Sequence, residues 1–142
     1  MIVPDVNVLV YAFKGESPRH PEYRDWLERT AVGEVPLGLT GVVLSGFARM
    51  ATNPAVFEDP SDIDSAMDFV SALRAQPASV DVSPGASHLS LFETLCRRTR
   101  ARGNAVPDAY LAAITIDLRA ELVTTDRGFA RFPGLHSKHP LD

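Results

Sequence analysis

The chain is expected to fold as an α/β protein with a parallel central sheet flanked by helices on both faces. Short apolar runs at Ile2–Pro4, Val35–Leu39, Val80–Val82 and Leu122–Thr125 alternate with segments of helical periodicity, the pattern of strands joined by helical crossovers. The stretch Ala109–Leu118 is apolar nearly all round, as a central, buried helix would be. With 142 residues, 45% hydrophobic and 23% charged, the chain is long enough to bury a core as one domain spanning residues 1–142. It has no internal repeat or low-complexity segment.

Taken in order, Ile2–Pro4 is the first strand, and a helix over Asn7–Phe13 carries Val8, Leu9 and Ala12 on one face. Tyr23, Trp26, Leu27 and Thr30 fall at helical spacing between Pro21 and Ala31, and Gly33 is placed to stop that helix. Val35–Leu39 is the second strand. Thr40 caps a helix with Val43, Leu44, Phe47 and Met50, which ends before Asn53-Pro54 because the residue preceding a proline avoids the helical region. A loop runs from Asn53 to Pro60. Ser61 and Asp64 resemble a capping box opening a helix with Ile63, Met67, Val70 and Leu73 turned inward. Val80–Val82 is the third strand, and a helix from about Ala86 to Arg100 buries Leu89, Phe92, Leu95 and Cys96. After the apolar helix and the strand Leu122–Thr125, Phe129 and Phe132 begin a short closing element.

Composition narrows the function. The lone Cys96 cannot form an intramolecular disulfide and reads as a packed small hydrophobe. No run approaches the length of a membrane span, and the N-terminus goes straight into a strand, so a cytoplasmic location is expected. The net charge of −4 argues against strong nonspecific nucleic-acid binding, but the charge is uneven. Residues 1–96 carry a net −7 and residues 97–142 a net +3. Arg97, Arg98, Arg100 and Arg102 precede Asp108, and Arg127 and Arg131 follow Asp126. This positive border is either a solvated surface, with arginines favoured at a helix C-terminus, or a rim for phosphates.

Three aspartates carry the chemistry. Asp5 closes the first strand, Asp108 opens the apolar helix and Asp126 ends the last strand run. In a parallel α/β sheet, ligands gather outside the carboxyl ends of the strands, so the ends bearing Asp5 and Asp126 are expected side by side at one sheet edge. Carboxylates gathered there repel one another unless a cation lies between them. Hard oxygen ligands without His or Cys at ligand spacing select Mg²⁺, with Mn²⁺ able to substitute, and such a site suits metal-assisted phosphodiester hydrolysis. Each aspartate also has a structural reading: Asp5 as a helix cap, Asp108 as a dipole-favoured helix residue, Asp126 as a turn residue before Arg127-Gly128. The four histidines (His20, His88, His136, His139) lack ligand spacing, and His136 and His139 are expected to be solvated in a polar tail. Lys14 and Lys138 look peripheral.

Three blocks in this order, Asp5-Val6-Asn7-Val8-Leu9, Arg102-Gly103-Asn104-Ala105-Val106-Pro107-Asp108-Ala109 and Thr124-Thr125-Asp126-Arg127-Gly128-Phe129, resemble the PIN domain, and specifically the VapC toxin ribonucleases of type II toxin–antitoxin systems. Ala51-Thr52-Asn53-Pro54 with Phe57, and the ending Phe129 to Leu135, resemble a mycobacterial-type branch. The resemblance spans nearly the whole chain. It implies an Mg²⁺-dependent endoribonuclease of structured RNA such as tRNA or ribosomal RNA, a VapB-type antitoxin as partner, and a homodimer. Asp5 and Asp108 would be the principal metal ligands, with Asp126 completing the acidic site. Asn7 and Thr125 would orient water or ligands, and Asn104 would position substrate or the Asp108 helix start. Arg97, Arg98, Arg102 and Arg127 are the candidate RNA contacts.

One departure stands out. The family's usual fourth acidic residue lies three positions before Arg49, where this chain has Gly46, and no acidic residue lies between Val35 and Phe57. One firmly held ion, with a second bound weakly or only with RNA, is therefore expected. The same departure keeps open a catalytically weak RNA- or antitoxin-binding module. A haloacid-dehalogenase-like phosphatase is disfavoured because Asn7 stands where that chemistry wants a second Asp. The helix stripes Tyr23, Trp26, Leu27 and Phe47, Met50 are mostly core, and any exposed part could seat an amphipathic partner helix.

Overall fold

The computed structural model describes residues 1–142. It contains five parallel strands, β1 (Ile2–Pro4), β2 (Leu37–Thr40), β3 (Ser79–Val82), β4 (Glu121–Val123) and β5 (Ser137–Lys138), in the order β3-β2-β1-β4-β5. Six helices join them: α1 (Val6–Phe13), α2 (His20–Ala31), α3 (Gly41–Ala51), α4 (Ile63–Arg74), α5 (His88–Thr99) and α6 (Ala105–Asp117). A 3₁₀ turn covers Arg127–Arg131. The helices flank the sheet, α1 packing on α2 and α3, α3 on α4, and α5 on α6.

The strand order reverses beside β1: the chain builds outward through β2 and β3, then returns to place β4 on the other side of β1. Such a reversal opens a crevice at the carboxyl ends of the strands, because the two flanking connections leave in opposite directions. The β1–β4 register pairs Ile2 with Glu121, Val3 with Leu122 and Pro4 with Val123. Continued by one residue, it sets Asp5 opposite Thr124. Burial explains why these strands can be so short. Ile2, Val3, Leu37, Leu39, Leu122 and Val123 all belong to one cluster of 27 buried residues, so both faces of the central strands are covered. The apolar helix α6 behaves as expected, with Ala109 and the run Leu111–Thr115 buried.

Local chemistry sets the helix starts. The Thr40 hydroxyl accepts from the Val43 N–H at 3.2 Å and caps α3. Asp62, not Ser61, caps α4, its carboxylate accepting from the Ser65 N–H at 2.7 Å. Val70 and Leu73 face inward as expected, joined by Ala66, whereas Ile63 and Met67 are exposed instead of buried. On α5 the inward position is His88, whose ring nitrogen lies 3.1 Å from the Tyr110 carbonyl, and Leu89 is 67% exposed. Cys96 packs against the core as expected.

Two further expectations are corrected. Lys14 is 6% exposed and central to the loop it holds. Its ammonium donates to the Asp59 carbonyl at 2.8 Å and to the Ser61 hydroxyl at 3.0 Å, and lies 4.7 Å from the centre of the Phe57 ring. The tail is also more than a solvated end. Its Ser137–Lys138 pairs with Leu122 and Val123 as β5, and His139 packs on the Tyr23 ring with centroids 6.2 Å apart. Tyr23, Leu27 and Phe47 are core. No helix is long and apolar enough to cross a membrane.

Candidate active site

The three aspartates arrive at the carboxyl ends of β1 and β4 from three different elements. Asp5 ends β1 and is the N-cap of α1: leaving the strand at an extended backbone angle, it turns its Oδ1 onto the Val6 N–H at 2.7 Å. Its Oδ2 accepts from the Thr124 hydroxyl at 2.7 Å. The same Thr124 oxygen accepts from the Asp126 N–H at 3.0 Å. One hydroxyl thus joins the end of β4 to Asp5 and fixes the start of the Asp126 turn. Asp126 in turn caps the 3₁₀ turn, its Oδ1 accepting from the Gly128 N–H at 2.7 Å. Asp108 sits in the first turn of α6, and neither of its carboxylate oxygens has a hydrogen-bond donor in the protein. The structural and functional readings of Asp5 and Asp126 therefore coexist: cap and turn residues, and carboxylates at the crevice.

Asp5 and Asp108 line one cavity of about 320 Å³ with Val6, Ser45, Gly46 and Arg49 of α1 and α3 among its other walls. Asp126 flanks this cavity without lining it, and is linked to it through Thr124. In this conformation no three His, Cys, Asp or Glu side chains converge closely enough to bind one ion together. The electrostatics nevertheless bind the three into one unit. The Asp5 carboxyl is raised from its ordinary value by burial, against the Thr124 and Val6 hydrogen bonds, with Asp126 repulsion adding to the rise. Asp108 is pushed up to about 6, by burial first, then by the negative charges of Asp5 and Asp126, while Arg131 opposes the rise. No Lys or Arg lies within 4.0 Å of any of the three carboxylates. A buried Asp5, a half-buried Asp108 and an exposed Asp126, none neutralised by a basic side chain, form a graded set of oxygen ligands of the kind a hard divalent cation takes.

The absent fourth carboxylate has a steric explanation. A Cβ built on Gly46 would stand 2.9 Å from Val6 Cγ2. Val6 therefore fills the space through which a side chain at this position would leave helix α3, and α3 instead contributes the charged Arg49 to the cavity wall.

The remaining expected residues distribute as follows. Asn7 faces the neighbouring cleft with Tyr11, Met50 and Phe57. Asn104 is the exposed N-cap of α6 and makes no capping hydrogen bond through its side chain. Thr125 is half-buried, and the hydroxyl bound to Asp5 belongs to Thr124, one residue earlier. Arg97 is ion-paired with Glu93 at 2.9 Å. Arg98 shares a cavity with Arg131, and Arg102 and Arg127 are exposed. Thr124 could have been found from sequence only with the β1–β4 register in hand.

A match to the PIN domain covers residues 2–135. The chain belongs to the PIN-domain family. Among full-length relatives, ribonuclease VapC43 of Mycobacterium tuberculosis is 44% identical over 142 residues, covering 100% of this chain and 97% of the relative. Ribonuclease VapC31 of the same species is 39% identical, covering 99% of this chain and 100% of the relative. The fold is shared more widely. VapBC2 from Rickettsia felis, solved bound to a DNA fragment from its promoter, superposes with a TM-score of 0.72 at 20% identity, covering 98% of each chain. VapC20 of M. tuberculosis, a toxin that cleaves the sarcin-ricin loop, gives 0.67 at 14% identity, covering 95% of this chain and 98% of that one. These place the chain in the VapC branch of PIN domains.

Proposed function

We propose that this PIN domain is a toxin ribonuclease of the VapC type, cutting RNA with the help of a divalent cation held by Asp5 and Asp108 and completed by Asp126. The observation that carries the reading is the set of three carboxylates gathered at the strand-order reversal, Asp108 raised to about 6 and none paired with a basic side chain. Mg²⁺ is the proposed ion, with Mn²⁺ as substitute, because the donors are carboxylate oxygens. When bound, such an ion supplies Lewis-acid activation of the phosphodiester and of the attacking water.

The chain's own residues do the rest. The Val6 N–H and the Thr124 hydroxyl hold the Asp5 carboxylate in one orientation, so no reorganisation is needed when a cation arrives. Asp126 spends one oxygen on the Gly128 N–H and keeps the other for the site. Asp108, with no hydrogen-bond donor in the protein, keeps both carboxylate oxygens available to a cation, which would also relieve its repulsion from Asp5 and Asp126. Gly46 leaves three carboxylates for binding, which supports one firmly held ion, a second joining only with RNA phosphate.

RNA as substrate implies a cytoplasmic site of action. A small VapB-type antitoxin is the proposed partner, supported by structural neighbours solved as VapBC complexes, such as VapBC2 of Rickettsia felis. The decisive experiment incubates the purified chain with total cellular RNA, with Mg²⁺ or with chelator, and maps new ends for wild type, Asp5→Asn and Asp108→Asn. Discrete cleavage that needs both the cation and the aspartates is expected. Folded protein that binds RNA but never cuts it would favour the binding-module reading raised by Gly46.

A further inference from the structure

Positive charge in this chain is sorted by whether it is neutralised. Arg19, Arg24, Arg29 and Arg74 each hold a carboxylate in an ion pair, and Arg97 holds Glu93. Arg98 and Arg131 hold none within 4.0 Å. They come from separate elements, the last turn of α5 and the end of the 3₁₀ turn, yet line one cavity of about 390 Å³ with Thr99, Ala130 and Pro133. Two unpaired guanidiniums brought to one concavity repel each other unless an anion sits between them. Their planar donor forks match phosphate oxygens.

Arg131 is aimed rather than free. Its Nε donates to the Gly128 carbonyl at 2.7 Å, which leaves the two Nη groups available. The approach depends on glycine: a Cβ at Gly128 would lie 2.6 Å from Arg131 Nη2 and 2.9 Å from Asp126 Oδ1. The space left by the missing Cβ of Gly128 is thus shared by this guanidinium and the Asp126 carboxylate, and the Arg131 charge also acts on Asp108. The arginine cavity thus adjoins the carboxylate crevice. Its apolar walls are only the small Ala130 and Pro133, too little to anchor a protein side chain.

We infer that Arg98 and Arg131 form a seat for an RNA backbone phosphate flanking the phosphodiester that is cut, with Gly128 as the positioning residue that lets Arg131 reach it. The inference rests on the ribonuclease reading and gives it a direction for the strand, from the carboxylates toward the C-terminal end of α5.

The test measures anisotropy of a short fluorescein-labelled RNA of mixed sequence against the Asp108→Asn chain, which holds RNA uncut, over a range of KCl concentrations. Adding Arg98→Gln and Arg131→Gln should reduce the slope of log affinity against log salt by about 0.7 if the arginines share one phosphate, or about 1.4 if each takes its own. Arg74→Gln should leave the slope unchanged, because Arg74 pairs with Asp81 of β3, at the sheet edge farthest from β4 and the 3₁₀ turn. Arg98→Lys with Arg131→Lys should restore the slope, which a misfolded variant would not. An unchanged slope in the double Gln variant, or an equal change in Arg74→Gln, overturns the inference. So does a loss confined to an acidic protein partner. The two readings fail separately. If the double Gln variant with Asp108 intact cuts RNA at wild-type KM, the phosphate seat is refuted and the nuclease stands. If wild type binds through the arginines but never cuts with Mg²⁺, the nuclease is refuted and the seat stands.

Discussion

The Asp108→Asn substitution separates two consequences of the same electrostatics. Burial and the charges of Asp5 and Asp126 raise the Asp108 carboxyl from 3.8 to about 6. The folded protein therefore binds that proton more tightly than the unfolded chain, and stability falls as pH rises from 3.8 through about 6, staying reduced above it. At roughly 1.4 kcal/mol per pKa unit the ceiling on this cost is about 3 kcal/mol. The side chain is only half-buried, and solvent screening brings the figure to about 1–2 kcal/mol. The α6 dipole favours the carboxylate by at most about 1 kcal/mol, so repulsion and burial win. Asn keeps the shape and removes the charge. Urea denaturation at about pH 7.5 should show the variant more stable by about 1 kcal/mol, with the difference vanishing near pH 4. RNA cleavage should be lost at both. Mg²⁺ should raise the stability of wild type and not of the variant, because only a state that binds the ion gains from it. A variant destabilised at neutral pH, or equally stabilised by Mg²⁺, would refute the reasoning.

Thr124→Val removes the donor to Asp5 and the acceptor of the Asp126 N–H, and should cost about 1–3 kcal/mol. It should also raise the Asp5 carboxyl further, moving the acidic limb of a pH–rate profile to higher pH, whereas Thr124→Ser should leave that limb in place. Gly46→Ala gains about 1 kcal/mol of helix propensity but presses on Val6 Cγ2 at 2.9 Å, at a cost of about 1–3 kcal/mol. In a Val6→Ala background only the gain should remain, so thermal melts of a double-mutant cycle should show the effect of Gly46→Ala turning stabilising. Lys14→Met leaves the Asp59 carbonyl and Ser61 hydroxyl without their donor and should cost about 1–3 kcal/mol. Limited proteolysis between Asn53 and Ser61 should then be faster than in wild type.

The parallel sheet and its four longer strands were legible because alternation of apolar runs with helical segments is a local signal, and so was α6, apolar on every face. The strand Ser137–Lys138 was not: its residues are polar and exposed, and it exists only because β4 offers it an edge. Ser61 and Asp62 compete for the same cap, and the carboxylate that reaches the Ser65 N–H wins; Val70 and Leu73 face inward as expected, while Ala66 takes the inward place expected for Met67. Lys14 is buried by a loop forty-five residues away, a contact no periodicity encodes. Within the site, the positions of Asp5 and Asp126 at neighbouring strand ends followed from fold class, since ligands collect where strands end. The choice of Thr124 over Thr125 depended on the β1–β4 register, and the contrast between paired Arg97 and unpaired Arg98 depended on which way each side chain leaves α5. The blocked exit at Gly46 depended on how closely α1 packs against α3.

The most direct measurement is an anomalous difference map from crystals of this chain grown with Mn²⁺. One strong peak within about 2.1–2.2 Å of carboxylate oxygens of Asp5 and Asp108, weakened or lost in Asp108→Asn crystals, is the predicted result. A peak remote from the crevice, or none at saturating Mn²⁺, would contradict the proposal that these aspartates share a cation.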